Sequence, residues 1–380
     1  MHYGVGHPWD RRHFLKQGAL LTGTWLLPAG VRTRFLGLVP FIGEGQAPVN
    51  TRFGEELDCR LYTDLSHINE HRLTTPVNEF YIRTAASQLL PGATQWTIAI
   101  DGLIDHPVQV SIDRLRRSAR PMGRHLMECA GNVRLTRFGL ISVADWAGVP
   151  VMDVLKDIPQ KTTDARILIS GFDEYAALSK TSLPGASWIF SPEDLQTTKA
   201  FFATAMNGQP LTRDHGAPVR LVVPGWYGCS CIKWVNRIVF TENEAEATSQ
   251  MREYAVRTLQ NGVPQLAKDF RPPTIDPAAM PIRIEKWLVN SKLQYRVIGL
   301  TWGGSEPIRT LSIRFNSNED FMPVPGLKQV KNDPWSLWSY PWFPKQPGTY
   351  AIQLTITDPP VLARKLDAGF YVRKVYISET

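Results

Sequence analysis

At 380 residues the chain is longer than one typical hydrophobic core, so two domains are expected, and its 43% hydrophobic and 20% charged residues place it among ordinary globular proteins. The formal charge of +7 comes from scattered basic residues and one dense patch, Arg114, Arg116, Arg117, Arg120 and Arg124. That patch lacks the lysines and stacking aromatics of a nucleic-acid surface, so it reads as a solvated helix face or an anion funnel, and no nucleic-acid partner is expected. The four cysteines, Cys59, Cys129, Cys229 and Cys231, are too few for a disulfide framework.

Residues 1–47 read as an export leader. Arg11-Arg12-His13-Phe14-Leu15-Lys16 precedes an apolar run from Gly18 to Val31, and the R-R-x-F-L-K order is that of a twin-arginine signal, with Asp10 where Ser or Thr is more usual. An uncleaved anchor is the alternative, because Pro28-Ala29-Gly30 is a poor cleavage site. The twin-arginine route exports folded proteins, which suits cargo loaded with a cofactor and sets a periplasmic location as the expectation.

Residues 48–267 form the expected first domain. A helix is predicted over Leu61–Arg72, which would set His67 and His71 on one face at zinc-binding spacing. Val77–Thr84 is predicted as a strand leading to Arg83, Gln95–Ile100 as another, and Pro107–Ile112 returns into a helix capped by Ser111. A short strand through Leu126 then feeds a turn that presents Cys129. Gly131 and Asn132 tolerate unusual backbone angles there, and Arg134 is expected to favour the thiolate. A thiolate so placed is a nucleophile or a soft-metal ligand; the plainer alternative is a buried structural cysteine.

Gly139–Pro150 is predicted as a capped helix ending at Gly148, and Arg166–Ser170, Val219–Val223 and Trp234–Phe240 as strands. The loop Gly225–Lys233 carries glycines and a lysine that can hold phosphate or a pterin edge. Residues 268–281, with four prolines, are expected to link the domains. Residues 282–380 hold four β-rich runs, Leu293–Trp302, Ile308–Phe315, Thr349–Asp358 and Phe370–Ser378, which indicate an immunoglobulin-type antiparallel sandwich with a docking or dimerising role.

Several ordered motifs from Thr75 onward resemble the sulfite oxidase family of molybdenum enzymes. They are T-P-x-N-x-F-Y-I-R (Thr75–Arg83), E-C-A-G-N-x-R (Glu128–Arg134), the block Gly139–Val149, Met206–Gly225, G-x-x-x-I-K-W (Gly228–Trp234) and Arg252–Tyr254. The resemblance implies an α+β fold, a mixed α/β molybdopterin-binding domain followed by an immunoglobulin-like domain that mediates homodimers. It implies Mo-molybdopterin as cofactor, with Cys129 as the protein's ligand to the metal. Tyr81, Ile82, Arg83, Thr84, Ala85, Asp173, His215, Arg220, Cys231, Ile232 and Lys233 match cofactor contacts, with Thr84-Ala85 replacing the commoner Asn-His. Arg83, Arg134 and Tyr254 match positions around a small oxyanion substrate.

The implied reaction is oxo transfer that oxidises sulfite or a related sulfur oxyanion. There is no C-x-x-C-H, so electrons are expected to pass to an external c-type cytochrome. Three departures stand out. Val133 sits where the family usually has a first arginine, the chain between Arg134 and Gly139 is short, and no arginine in Pro359–Gly369 matches the one the C-terminal domain lends to the anion pocket. They motivate a second reading, a secreted binding protein with an inactive enzyme-like domain. A zinc hydrolase centred on His67 and His71 is a third.

Overall fold

The computed structural model describes residues 32–177, 179, 186–327, 333–358 and 363–380; the twin-arginine segment and part of the Pro359–Gly369 stretch lie outside them. The first domain is built on two five-stranded sheets. In one, Arg120–Glu128 pairs with Ile141–Pro150, which pairs with Phe201–Met206, whose far edge takes Gln209–Pro210 and Arg220–Val222. In the other the order is Val108–Ser111, Thr97–Gly102, Val235–Thr241, Arg166–Gly171 and Ser187–Phe190, with one parallel pair, Thr97–Gly102 against Val235–Thr241. Helices are short; in Ile112–Ser118 the Ser111 hydroxyl accepts the Arg114 N–H, the cap expected from the sequence.

Three local expectations are corrected. Residues 61–72 form only a 3-10 turn, Leu65–His67, so His67 and His71 do not share a helical face. His67 instead faces Asp64 at 3.5 Å, and Asn69 accepts the His71 N–H as an Asx turn that competes with helix. Val77–Thr84 is not a strand but a turn and loop with one bridge, Leu61 to Ile82. Residues 141–150 are a strand, not a helix. Buried on both faces, they show no alternation, and Gly148 serves close approach rather than a helix end: a Cβ there would lie 2.2 Å from the Phe202 carbonyl oxygen.

The second domain is a sandwich of a four-stranded and a five-stranded sheet. Its aromatic centre includes Phe315 stacked on Trp342 at 4.2 Å. Residues 33–42, expected within the leader, supply a strand to each sheet: Thr33–Val39 pairs with Ala278–Val289, and Phe41–Ile42 with Arg373–Ile377. The last four residues of the expected linker, Ala278 to Pro281, likewise begin a long strand. The domains are tied by Arg283 Nη1 donating to Ile68 O at 2.6 Å, Trp335 Nε1 to Leu73 O at 2.9 Å, and Trp302 Nε1 to Glu128 Oε2 at 2.9 Å.

Candidate active site

The site grows from the turn that ends the strand Arg120–Glu128. The Cys129 N–H donates to Leu140 O and its carbonyl accepts the Asn132 N–H, both at 2.9 Å. Asn132, buried, accepts the Leu140 N–H at 3.1 Å and donates to Glu128 Oε1 at 3.4 Å. Neither Gly131 nor Asn132 has positive φ, so the turn needs no left-handed backbone. What it needs is the Asn132 amide; a Cβ on Gly131 would make only ordinary contact, 3.4 Å from Arg257 Nη1 and 3.7 Å from Cys129 Sγ.

Cys129 faces a cleft of about 130 Å³. Of the residues expected at the site, Tyr81, Arg83, Thr84, Asp173, His215, Arg220, Cys231, Ile232, Lys233 and Tyr254 line the same cleft. Ile82 and Ala85 sit behind its wall. Both are buried, Ile82 bridged to Leu61 and the Ala85 N–H on Leu57 O at 3.2 Å. Arg134 turns away, donating to Val372 O in the second domain at 2.7 Å. The chain between Val133 and Gly139 closes as a 3-10 turn, which carries Arg134 past the thiol rather than over it.

The Cys129 thiol is pushed up by burial. Opposing that are Arg83 first, then the Gly131 N–H at 3.4 Å from Sγ, then Arg257. Arg257 was not expected from the sequence, although its place three residues after Tyr254 is the spacing that brings side chains together on a helical turn. Its guanidinium carbon lies 5.3 Å from the Tyr254 ring centre. Cys229, inside the Gly228–Trp234 motif, also lines the cleft, as do Met127 and Gln250, which no motif contains.

The opposite wall is cationic and held from inside the protein. Arg220 Nη1 donates to His215 O at 3.1 Å and Nη2 to Cys231 O at 3.3 Å, while its buried Nε has no partner among the described residues. Lys233 Nζ donates to the carbonyls of Thr84 and Asp214 and lies 4.3 Å from the Trp234 ring centre. Burial and the neighbouring Arg220 push its pKa far down, so an anion placed there would restore the ammonium. His215 donates from Nε2 to Phe80 O at 3.0 Å and accepts the Thr212 hydroxyl at Nδ1 at 2.7 Å, which makes it a neutral wall residue with both nitrogens engaged. Among the described residues no group of three or more His, Cys, Asp and Glu is arranged to hold a metal ion.

Residues 86–249 match the model of the oxidoreductase molybdopterin-binding domain. Over 227 residues, 54% of this chain, the sequence is 30% identical to NADH nitrate reductase 2 of Phaseolus vulgaris, covering 25% of that protein. Over 163 residues, 39% of this chain, it is 34% identical to human mitochondrial sulfite oxidase, covering 29% of it. The chain thus spans about a quarter of the length of these curated relatives. In fold it is similar to the crystal structure of the sulfane dehydrogenase SoxCD from Paracoccus pantotrophus, with TM-score 0.61 and 18% identity over 81% of this chain and 78% of that one.

The match over residues 86–249 makes that part of the chain a molybdopterin-binding oxidoreductase domain. The cofactor of such a domain is Mo-molybdopterin, and over the matched residues the chain is similar to sulfite oxidases and nitrate reductases. The residues fit the group. The Cys129 thiol facing the cleft suits a soft metal, and the unpartnered Nε of Arg220 with the suppressed charge of Lys233 suits an anionic tail.

Proposed function

We propose that this chain oxidises sulfite, or a related small sulfur oxyanion, in the periplasm and passes the electrons to an external c-type cytochrome. The observation that carries the reading is the Cys129 turn, with a thiol facing the cleft and Arg83 as the strongest positive charge acting on it. Bound in the cleft, the molybdenum cofactor supplies an oxygen-transferring, two-electron redox centre. Cys129 would hold the metal, and Arg220 and Lys233 the anionic end of the pterin. Arg83 and the Tyr254 hydroxyl draw a small oxyanion toward the thiol end and orient it. Export by the twin-arginine route and pairing of two copies through the sandwich are part of the same reading.

The test is Cys129→Ser, which should abolish sulfite-dependent reduction of cytochrome c while the far-UV and near-UV circular dichroism stay unchanged. Undiminished turnover would refute the ligand role. A second reading, reduction of an oxyanion such as nitrate, is favoured by the similarity to nitrate reductases. Assaying wild-type protein with reduced viologen and nitrate beside sulfite and ferricytochrome c decides between them.

A further inference from the structure

Arg257 stands on the 3-10 turn Val256–Thr258, next to the Cys129 turn. Arg257 Nη1 and Cys129 Sγ lie 3.4 Å and 3.7 Å from the point where a Gly131 Cβ would stand, so guanidinium and thiol are neighbours on either side of Gly131. Tyr254, which lines the cleft, supports the Arg257 guanidinium with its ring. Arg257 itself is exposed, and among the described residues it forms no ion pair. By contrast Arg134, the arginine of the Cys129 motif, is committed to Val372 O, and Val133 carries no charge.

We infer that Arg257 is an anion-binding, specificity-determining residue of this site, placed beside the Cys129 thiol to hold a small oxyanion together with Arg83. The inference rests on the oxyanion reading above and deepens it: in this chain the second cation comes from the segment after Tyr254, not from the Cys129 motif. Two guanidinium forks near one thiol favour a compact anion with several acceptor oxygens over a neutral or extended substrate. Because Arg257 is exposed and forms no ion pair among the described residues, it can meet the anion without breaking a salt bridge.

Two measurements on the full-length protein test this, with Arg257→Gln and Arg257→Lys as variants. In the holoenzyme, Arg257→Gln should raise KM for sulfite roughly 10-fold with kcat within about twofold, and Arg257→Lys should recover much of the loss. In protein purified without cofactor, Cys129 is alkylated with iodoacetate, an anion, and with iodoacetamide, its neutral analogue, and the Cys129 peptide is quantified by mass spectrometry. Arg257→Gln should lower the iodoacetate-to-iodoacetamide rate ratio several-fold. An unchanged ratio and an unchanged KM overturn the inference. A lowered ratio in a protein whose wild type does not oxidise sulfite supports Arg257 as the anion clamp and unseats the sulfite reading alone.

Discussion

Glu128 and Trp302 join the two domains directly behind the reactive thiol: the indole N–H of Trp302 donates to Glu128 Oε2 at 2.9 Å. Glu128 is the residue before Cys129 and is fully buried, and its other oxygen accepts from Tyr371 and Asn132 at 3.4 Å. The sandwich therefore does more than flank the first domain. It holds the strand end from which Cys129 projects, through one carboxyl group whose partners come from both domains.

Burial pushes the Glu128 carboxyl pKa up, against the pull of Lys365 and its three hydrogen bonds. A carboxyl whose folded pKa is raised contributes stability that is complete below its unfolded value of 4.5 and is lost as pH rises through the folded value. Glu128→Gln stays uncharged and still accepts from Trp302, so its stability should decline less than that of wild type between about pH 4.5 and neutrality. Glu128→Ala leaves the Trp302 N–H buried without an acceptor and should cost about 1–3 kcal/mol at any pH. Urea unfolding at a series of pH values reads both, and parallel wild-type and Glu128→Gln curves would refute the assignment.

His215 predicts the opposite slope. Burial lowers its pKa from 6.5 to about 4, helped by Lys233 and Arg220 and opposed by the Phe80 carbonyl. A histidine held neutral contributes stability that is present above 6.5 and is lost as pH falls toward about 4. The loss should approach ~3 kcal/mol across that window, at ~1.4 kcal/mol per pH unit. His215→Gln should remove the acid-side slope. Urea unfolding between pH 7 and about 4 checks it, and a slope that survives in the variant assigns the acid sensitivity elsewhere.

Much of the second domain was legible because its strands alternate and are broken by Gly and Pro; Leu293–Trp302 and Thr349–Asp358 fall within a residue of the observed strands. The Cys129 turn was legible for the same reason, since a strand with a polar outer face runs straight into it. The strand 141–150 was not, because burial on both faces erases the period that separates strand from helix. Arg257 and the wide aim of Arg134 were invisible for another reason: which arginine faces the thiol depends on how far the short loop after Val133 swings. The strands at 33–42 were hidden by their neighbourhood, an apolar stretch directly following a signal-like run.

Arg220 should govern how much cofactor the protein keeps. Its guanidinium is buried against the carbonyls of His215 and Cys231, and its Nε is the unpartnered donor on the cleft wall. Arg220→Lys retains a charge but cannot reach two carbonyls and an anion at once, because an ammonium is a single point donor. We expect molybdenum and pterin content to fall about tenfold in Arg220→Met and by less in Arg220→Lys, as one to two charge-assisted hydrogen bonds are lost. Metal analysis and pterin fluorescence on protein of unchanged circular dichroism measure it. Full occupancy in Arg220→Met would remove Arg220 from the cofactor's cradle.

The segment from residue 33 to Gln46 should behave as part of the fold rather than as a dispensable leader. Glu44 accepts two hydrogen bonds from Arg373, both at 2.6 Å, and both side chains are buried, at 7% and 6% exposure. Arg373 also donates to Pro281 O at 2.9 Å and lies 3.6 Å from the Phe41 ring centre, so three stretches of chain meet on one guanidinium. Gly45 continues the clamp: a Cβ there would stand 1.7 Å from Leu135 O, next to the turn that carries Arg134. Glu44→Ala strands a buried cation and should cost about 3–5 kcal/mol. The double variant Glu44→Ala, Arg373→Met removes the cation along with its partner and should be less destabilised than Glu44→Ala alone, a non-additivity of more than about 1 kcal/mol. Gly45→Ala should destabilise without touching any charge. Equal stability of wild type and Glu44→Ala would mean that the segment rests on the sandwich without holding it.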